Sequence, residues 1–245
     1  MLNAVFQNGV FVPTADVTAA IGLTPCDRVV SLIGSGGKTS LMLALAEEAV
    51  AAGKTVVITT TTHVLPNDYY VPDRDDALRR LPKQRLVLLA AAGPAGKLTS
   101  PGETYIERAA AAADLVLIEA DGSKRLPLKY PAAHEPLIHP LSDLVVLVAG
   151  LSALGRPWQD VCHRVALAAK ALGVDPSAPV KACDLPRLLR RGYAEVFADR
   201  SYRPHVALNQ ADKRAVLAAA GAIADALAET GSRITAHSLA EAARK

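Results

Sequence analysis

The chain of 245 residues carries a net charge of +3, 51% hydrophobic residues and only 4% aromatics. That length holds one large α/β domain with a substantial core, while dispersed basic residues and scarce aromatics speak against a nucleic-acid partner. Three cysteines, Cys26, Cys162 and Cys183, far apart and without CxxC pairing, speak against a disulfide framework and a zinc site and suit a reducing cytoplasm; no secretory leader is read, and no run is long enough to span a membrane.

The first predicted strand, residues 29–33, ends in Gly34-Ser35-Gly36-Gly37-Lys38-Thr39-Ser40 and leads into a predicted helix over 39–52. Unpaired N–H groups at a helix N-terminus and the positive end of its dipole favour a phosphate. The glycines permit close backbone approach, Lys38 reaches terminal phosphate oxygens, and the Thr39 or Ser40 hydroxyl is offered to Mg²⁺. The match is to a shorter GxxGKT form, because Leu32 stands where the usual phosphate loop has glycine. Thr39 occupies the third glycine position of GxGxxG, which disfavours NAD and FAD. The bland alternative is a glycine-rich turn with a solvated lysine.

The second predicted strand, 55–59, runs into Thr59-Thr60-Thr61-Thr62-His63. At a strand end these hydroxyls and the imidazole would line a γ-phosphate or a second substrate, with His63 a candidate general base; plain β-propensity is the competing explanation. A helix over 75–80, a strand over 85–90 and a helix over 103–113 precede the strand at 115–119, which closes on Glu119 followed by Asp121, Gly122 and Ser123. Acids at the tip of an apolar strand beside a phosphate loop hold Mg²⁺, directly or through water, and alternate residues share a face. Next come Lys124, Arg125 and Lys129, cations placed to grip a nucleotide or an anionic acceptor from a proline-stiffened lid. His63, His134, Glu135 and His139 have the chemistry of a metal site, but their spacing enforces none.

A strand over 144–149 is followed by residues 151–203, where Pro157, Pro176, Pro179 and Pro186 accompany helices over 159–172 and 184–191, a pattern that reads as a helical lobe. Strands over 205–209 and 233–236 flank a helix over 213–230. Asn209-Gln210-Ala211-Asp212 approximates the NKxD element of guanine-binding proteins, with Asp212 the base reader and Asn209 its brace; helix capping by Asp212 is the alternative.

Strands alternating with helices, glycine loop first, predict an α/β, P-loop NTPase-like fold: a mostly parallel sheet between helical layers with a small helical insertion, one nucleotide-binding domain over 1–245. SLIGSGGKTS, TTTTH, EADGSK with LPLK and AAHEP after it, and NQAD together resemble the bacterial YqeC-type family of selenium-dependent hydroxylase accessory proteins, over nearly the whole chain. The resemblance implies a cytoplasmic protein assisting maturation of selenium-dependent molybdenum hydroxylases. That hydroxylase or its molybdenum cofactor would be its partner, residues 59–63 and 119–124 would form the reacting side, and His163 and Arg164 would lie in the lobe. Three functions fit: a Mg²⁺-dependent GTPase or ATPase, a kinase or nucleotidyltransferase acting on a pterin or selenium compound, and a nucleotide-responsive carrier without turnover.

Overall fold

The fold is seen in a computed structural model that describes residues 2–212 and 214–239. Nine strands form the main sheet: β1 Leu2–Gln7, β2 Val10–Pro13, β3 Val29–Gly34, β4 Val56–Thr60, β5 Leu86–Leu88, β6 Leu115–Glu119, β7 Leu144–Gly150, β8 Arg203–Asn209 and β9 Arg233–Ser238. Their order is β2-β1-β9-β8-β7-β3-β6-β4-β5. The seven from β9 to β5 are parallel, and β1 and β2 extend one edge as an antiparallel hairpin.

Val, Leu and Ile run continuously along the central strands because both faces are covered, as parallel sheets require. Val30, Leu32, Ile58, Leu117 and Val146 pack on one face against helices α1 Val17–Ile21 and α2 Lys38–Ala51. Ile33, Val57, Ile118, Leu147 and Val206 pack on the other. There they meet α3 Arg74–Gln84, α4 Glu103–Ala112, α5 Trp158–Val161, α6 Val165–Leu172, α7 Asp184–Gly192, α8 Ala194–Ala198 and α9 Arg214–Leu227. The result is a three-layer α/β/α arrangement. Within 151–203, Trp158, Leu185, Leu188 and Tyr193 are buried in the same core as β7 and β8.

Several sequence expectations shift. The helix expected over 159–172 is two helices, because Cys162–His163 leaves helical geometry to pair in parallel with Leu128–Lys129, and Arg164 takes a left-handed φ of 62°. The helix expected over 75–80 extends to Arg74–Gln84, accepting Pro82 in its last turn, and is closed by Arg85 at φ 62°. The helix expected over 213–230 begins on Lys213, which lies outside the described residues. The β1–β2 hairpin was not anticipated. Its signal is Asn8-Gly9, both at positive φ (49° and 83°), the two-residue turn that matches strand twist.

Candidate functional site

Strand register brings the motifs to one edge. Leu32 of β3 is level with Glu119 of β6, Thr60 of β4 is level with the same Glu119, and Gly34 is level with Val148 of β7. The carboxyl ends of four neighbouring strands therefore converge where open parallel sheets bind ligands. Leu32 is wholly buried among the α2-side core residues. This explains the missing glycine: the position belongs to the strand, and the turn begins only at Gly34.

The turn is tight. Gly34, Gly36 and Gly37 have φ of 87°, 89° and 110°, values an L side chain rarely adopts. At Gly36 a Cβ would lie 2.3 Å from Gly150 N and 2.7 Å from Pro127 O, and at Gly37 it would lie 2.3 Å from Asn209 Nδ2. Asn209 donates to Gly36 O at 3.0 Å and accepts from Gln210 N at 2.8 Å, so its amide braces the loop from β8. Ser35 Oγ donates to Leu126 O, and Gly150 N donates to Pro127 O at 2.9 Å, which ties the 123–127 segment across the loop. Lys124 and Arg125 within it are exposed and sit at φ 50° and 60°.

Lys38 opens α2 and is 3% exposed. Its Nζ donates to Gly34 O at 2.7 Å and to Ser123 Oγ at 3.3 Å, and lies 3.0 Å from Asp121 Oδ1 and 3.9 Å from Glu119 Oε1. Thr39 Oγ1 donates to Glu119 Oε2 at 2.9 Å. Burial pushes the Glu119 carboxyl above its ordinary range, and Lys38 and the Thr39 hydroxyl only partly oppose that. Asp121 Oδ2 accepts from Gly34 N at 2.9 Å and from Lys129 Nζ at 3.0 Å. Lys129, wholly enclosed, continues to Glu135 Oε2 at 3.0 Å, and Glu135 also meets Arg164. A chain of alternating charge, buried at Lys38, Asp121 and Lys129 and half-buried at its far end, thus runs Lys38, Asp121, Lys129, Glu135, Arg164, each charge offset by the next.

Glycine loop, Lys38, Thr39, Glu119 and Asp121 stand together, joined by Asn209 on Gly36 O and Lys129 on Asp121, while the other expected residues make contacts of their own. Thr59 Oγ1 donates to Leu89 O, Thr60 Oγ1 to Glu119 O and Thr61 Oγ1 to Leu137 O, while Thr62 N donates to Thr60 Oγ1, so the threonine hydroxyls largely brace backbone. His63 is exposed and pairs in register with Thr99 in a small antiparallel sheet. Asp212 is exposed and accepts from Ser238 Oγ. No group of three or more His, Cys, Asp or Glu is arranged to hold a metal among the described residues. Sequence reasoning treated Lys129 as a surface grip and Glu135 as a possible metal ligand; the burial that makes them one ion-pair chain is a tertiary fact. Burial also pushes the Cys162 thiol up to about 12, which leaves it protonated and inert.

A parallel sheet whose first core strand feeds a glycine turn, a buried lysine and a hydroxyl, beside an acid-tipped strand, defines a P-loop NTPase-like α/β protein. The family model described as YqeC protein matches residues 30–166. The Escherichia coli (strain K12) Uncharacterized protein YqeC is 37% identical over 184 residues, covering 69% of this chain and 70% of that one. The chain belongs to the YqeC family. The crystal structure of Signal Recognition Particle 54 kDa protein from Aeropyrum pernix K1 in complex with GDP aligns at TM-score 0.43 and 16% identity, over 91% of this chain and 46% of that one. This chain therefore spans less than half that protein's length. No helix among the described residues is long and apolar enough to cross a membrane.

Proposed function

We propose that the chain is a Mg²⁺-dependent nucleoside triphosphatase acting on ATP or GTP, whose turnover drives a maturation step on a selenium-dependent molybdenum hydroxylase. The observation that carries the phosphate chemistry is Lys38: an ammonium 3% exposed at the start of α2, held against Gly34 O at 2.7 Å and Asp121 at 3.0 Å. A lysine is buried this deeply only when paired, and here its partner Asp121 holds it beside a glycine turn that opens the α2 N-terminus.

Loop residues 34–36 are buried, whereas Gly37, Thr39 and Ser40 reach the surface, so phosphate would approach from the α2 side. There Lys38 would leave Gly34 O for phosphate oxygens and neutralise charge as it shifts toward the leaving oxygen. Asp121, fixed by Lys129 and Gly34 N, keeps that lysine aimed. The hydroxyl of Thr39 and the carboxylate of Glu119, 2.9 Å apart, form an all-oxygen donor pair of the kind Mg²⁺ accepts, and a cation beside Glu119 would relieve the burial that raises its pKa. Bound there, the ion would offset charge on the phosphates.

The client assignment rests on the motif resemblance, which suggests a pathway rather than a reaction. A thermal-shift and hydrolysis panel of ATP and GTP with and without Mg²⁺ tests the chemistry. A Mg²⁺-dependent shift and phosphate release are expected in the parent chain and lost in both Lys38→Ala and Thr39→Ala. Absence of any nucleotide shift in a folded parent overturns the reading. Release that requires a pterin or selenium compound, with labelled phosphate ending on that acceptor, makes it a transferase instead.

A further inference from the structure

At the loop end of the ion-pair chain, Asp121 divides its oxygens. Oδ2 accepts from Gly34 N and Lys129 Nζ, while Oδ1 makes no hydrogen bond among the described residues and rests on the Lys38 ammonium 3.0 Å away. The hold that aims Lys38 therefore also resists its departure toward a phosphate. How firmly Asp121 keeps Lys38 depends on how fully Lys129 neutralises Asp121. Lys129 is shared, because its Nζ lies 3.0 Å from Asp121 Oδ2 and 3.0 Å from Glu135 Oε2.

Arg164 sets that share from the other end. Its Nη2 donates to Glu135 Oε1 at 3.2 Å and its Nη1 to Oε2, so the guanidinium fork relieves the demand of Glu135 on Lys129. The backbone is bent to put it there: Arg164 has φ 62°, a strained value for a non-glycine residue, where Cys162–His163 leaves the helix to pair with Leu128–Lys129. Burial lifts the Glu135 carboxyl, but the Ala132 N–H, Lys129 and Arg164 outweigh that and hold it below its ordinary range, so it is charged at neutral pH. The Arg164 side chain is 25% exposed whereas Lys129 and Asp121 are wholly enclosed, so this end can be substituted without emptying the core.

We propose that Arg164 is a positioning residue for Lys38: by holding Glu135 it leaves Lys129 to Asp121, and an Asp121 so neutralised releases Lys38 to phosphate. Without Arg164, Glu135 draws on Lys129, Asp121 is left with less, and Lys38 is kept back. With residue 135 neutral, Lys129 belongs to Asp121 alone and Lys38 moves more freely. This deepens the phosphate reading of the loop and rests on it.

The non-hydrolysable imido analogues of ATP and GTP, with Mg²⁺, are titrated calorimetrically into the whole protein and its variants, each shown to be folded by urea unfolding. Arg164→Gln should weaken binding about threefold or more, and Glu135→Gln should tighten it by a similar factor. The double variant separates this mechanism from others. Arg164 acts only through the Glu135 charge, so R164Q/E135Q should bind as tightly as E135Q. Arg164→Lys, which keeps the charge but not the fork, should weaken binding less than Arg164→Gln, and again only while Glu135 is charged.

Additive effects, with the double variant back at the parent value, would come from the general field of two charges and overturn the inference. Single variants that both weaken binding would assign Arg164 and Glu135 to the fold and overturn it too. Binding that Lys38→Ala abolishes but that no change at 135 or 164 alters sinks the inference and spares the triphosphatase reading. Absence of analogue binding to a folded parent overturns that reading and the inference with it.

Discussion

Replacing Lys129 by methionine tests whether the buried charge chain holds the site together. The substitution keeps an unbranched apolar stem one atom shorter and removes three contacts of the Lys129 Nζ: Asp121 Oδ2 at 3.0 Å, Gly122 O at 2.7 Å and Glu135 Oε2 at 3.0 Å. The losses are unequal in consequence. Asp121 retains Lys38 and Gly34 N, and Glu135 retains Arg164 and the N–H of Ala132, but two acids, one wholly buried and one half-buried, then share fewer cations. Breaking a buried pair from one side costs about 3–5 kcal/mol, and the surviving partners place Lys129→Met near the lower end, about 3 kcal/mol. Urea unfolding measures this as a fall in midpoint at unchanged slope. Adding Glu135→Gln should recover about 1 kcal/mol or more, because the second change removes a charge the first left uncompensated. A loss below about 1 kcal/mol in the single variant, with no coupling in the double, would refute the chain as a structural unit.

Three further outcomes follow from the same geometry. Gly36→Ala puts a Cβ 2.3 Å from Gly150 N at a φ of 89°, so it should cost about 2 kcal/mol and abolish the nucleotide-dependent thermal shift; an unchanged shift would show that the loop does not hold phosphate in this conformation. Burial pushes the His237 imidazole down to about 4 and His205 well below its ordinary range, so both fold as neutral rings. Their contribution is complete above about pH 6.5 and is lost as pH falls toward 4, about 3 kcal/mol for His237 at 1.36 kcal/mol per unit, visible as a falling urea midpoint that His237→Gln flattens. Asp212→Asn should leave the ATP and GTP shifts unchanged relative to one another, whereas Asn209→Ala should weaken both by unbracing Gly36; a selective loss of GTP in Asp212→Asn would restore that residue as a guanine reader.

The histidine pair shows how a polar group survives inside a sheet. Thr235 Oγ1 lies 2.8 Å from both His205 Nε2 and His237 Nε2, and it has one proton to give. With His237 Nδ1 donating to Asn3 Oδ1 at 3.0 Å, His237 Nε2 must accept from Thr235 and His205 Nε2 must donate to it. Those three protons fill the arrangement, and a fourth, on His237 Nε2 or His205 Nδ1, has no acceptor among the described residues. The fold thus joins β8 and β9 to the β1 edge through an ordered network that only neutral rings complete.

The central sheet was legible because parallel strands covered on both faces write themselves as uninterrupted apolar runs, and the runs at the site end in punctuation: Gly34 closing β3, Asp121 and Gly122 after β6. The edge hairpin escaped because its alternation is short, although Asn8-Gly9 carried the turn signal. The break between α5 and α6 was hidden for a different reason. Nothing local forbids helix at Cys162, His163 and Arg164; a ladder to Leu128–Lys129, more than thirty residues earlier in the chain, overrides it. Of the site, the loop residues and the strand-end acids could be read from residue type and position. The partners of Lys129 could not, since a lysine after LPL looks the same in sequence whether it faces water or two carboxylates.

Leu32 connects fold and chemistry most directly. A glycine there would have begun the loop two residues earlier and let it wrap further from the sheet. Leucine, wholly buried against α2, commits that position to β3 and confines the turn to Gly34, Ser35, Gly36 and Gly37. So short a turn has no room for side chains at its glycines, and its carbonyls and N–H groups must be held from outside: Gly36 O by Asn209, Gly34 N by Asp121, Ser35 N by Val148 O. Each of those holders comes from the end of a different neighbouring strand, or from the segment that follows one. The precision of the proposed phosphate site therefore resides less in the glycine motif than in the strand register around it, and Asn209, expected as the brace of a base-reading Asp212, braces Gly36 of the loop instead.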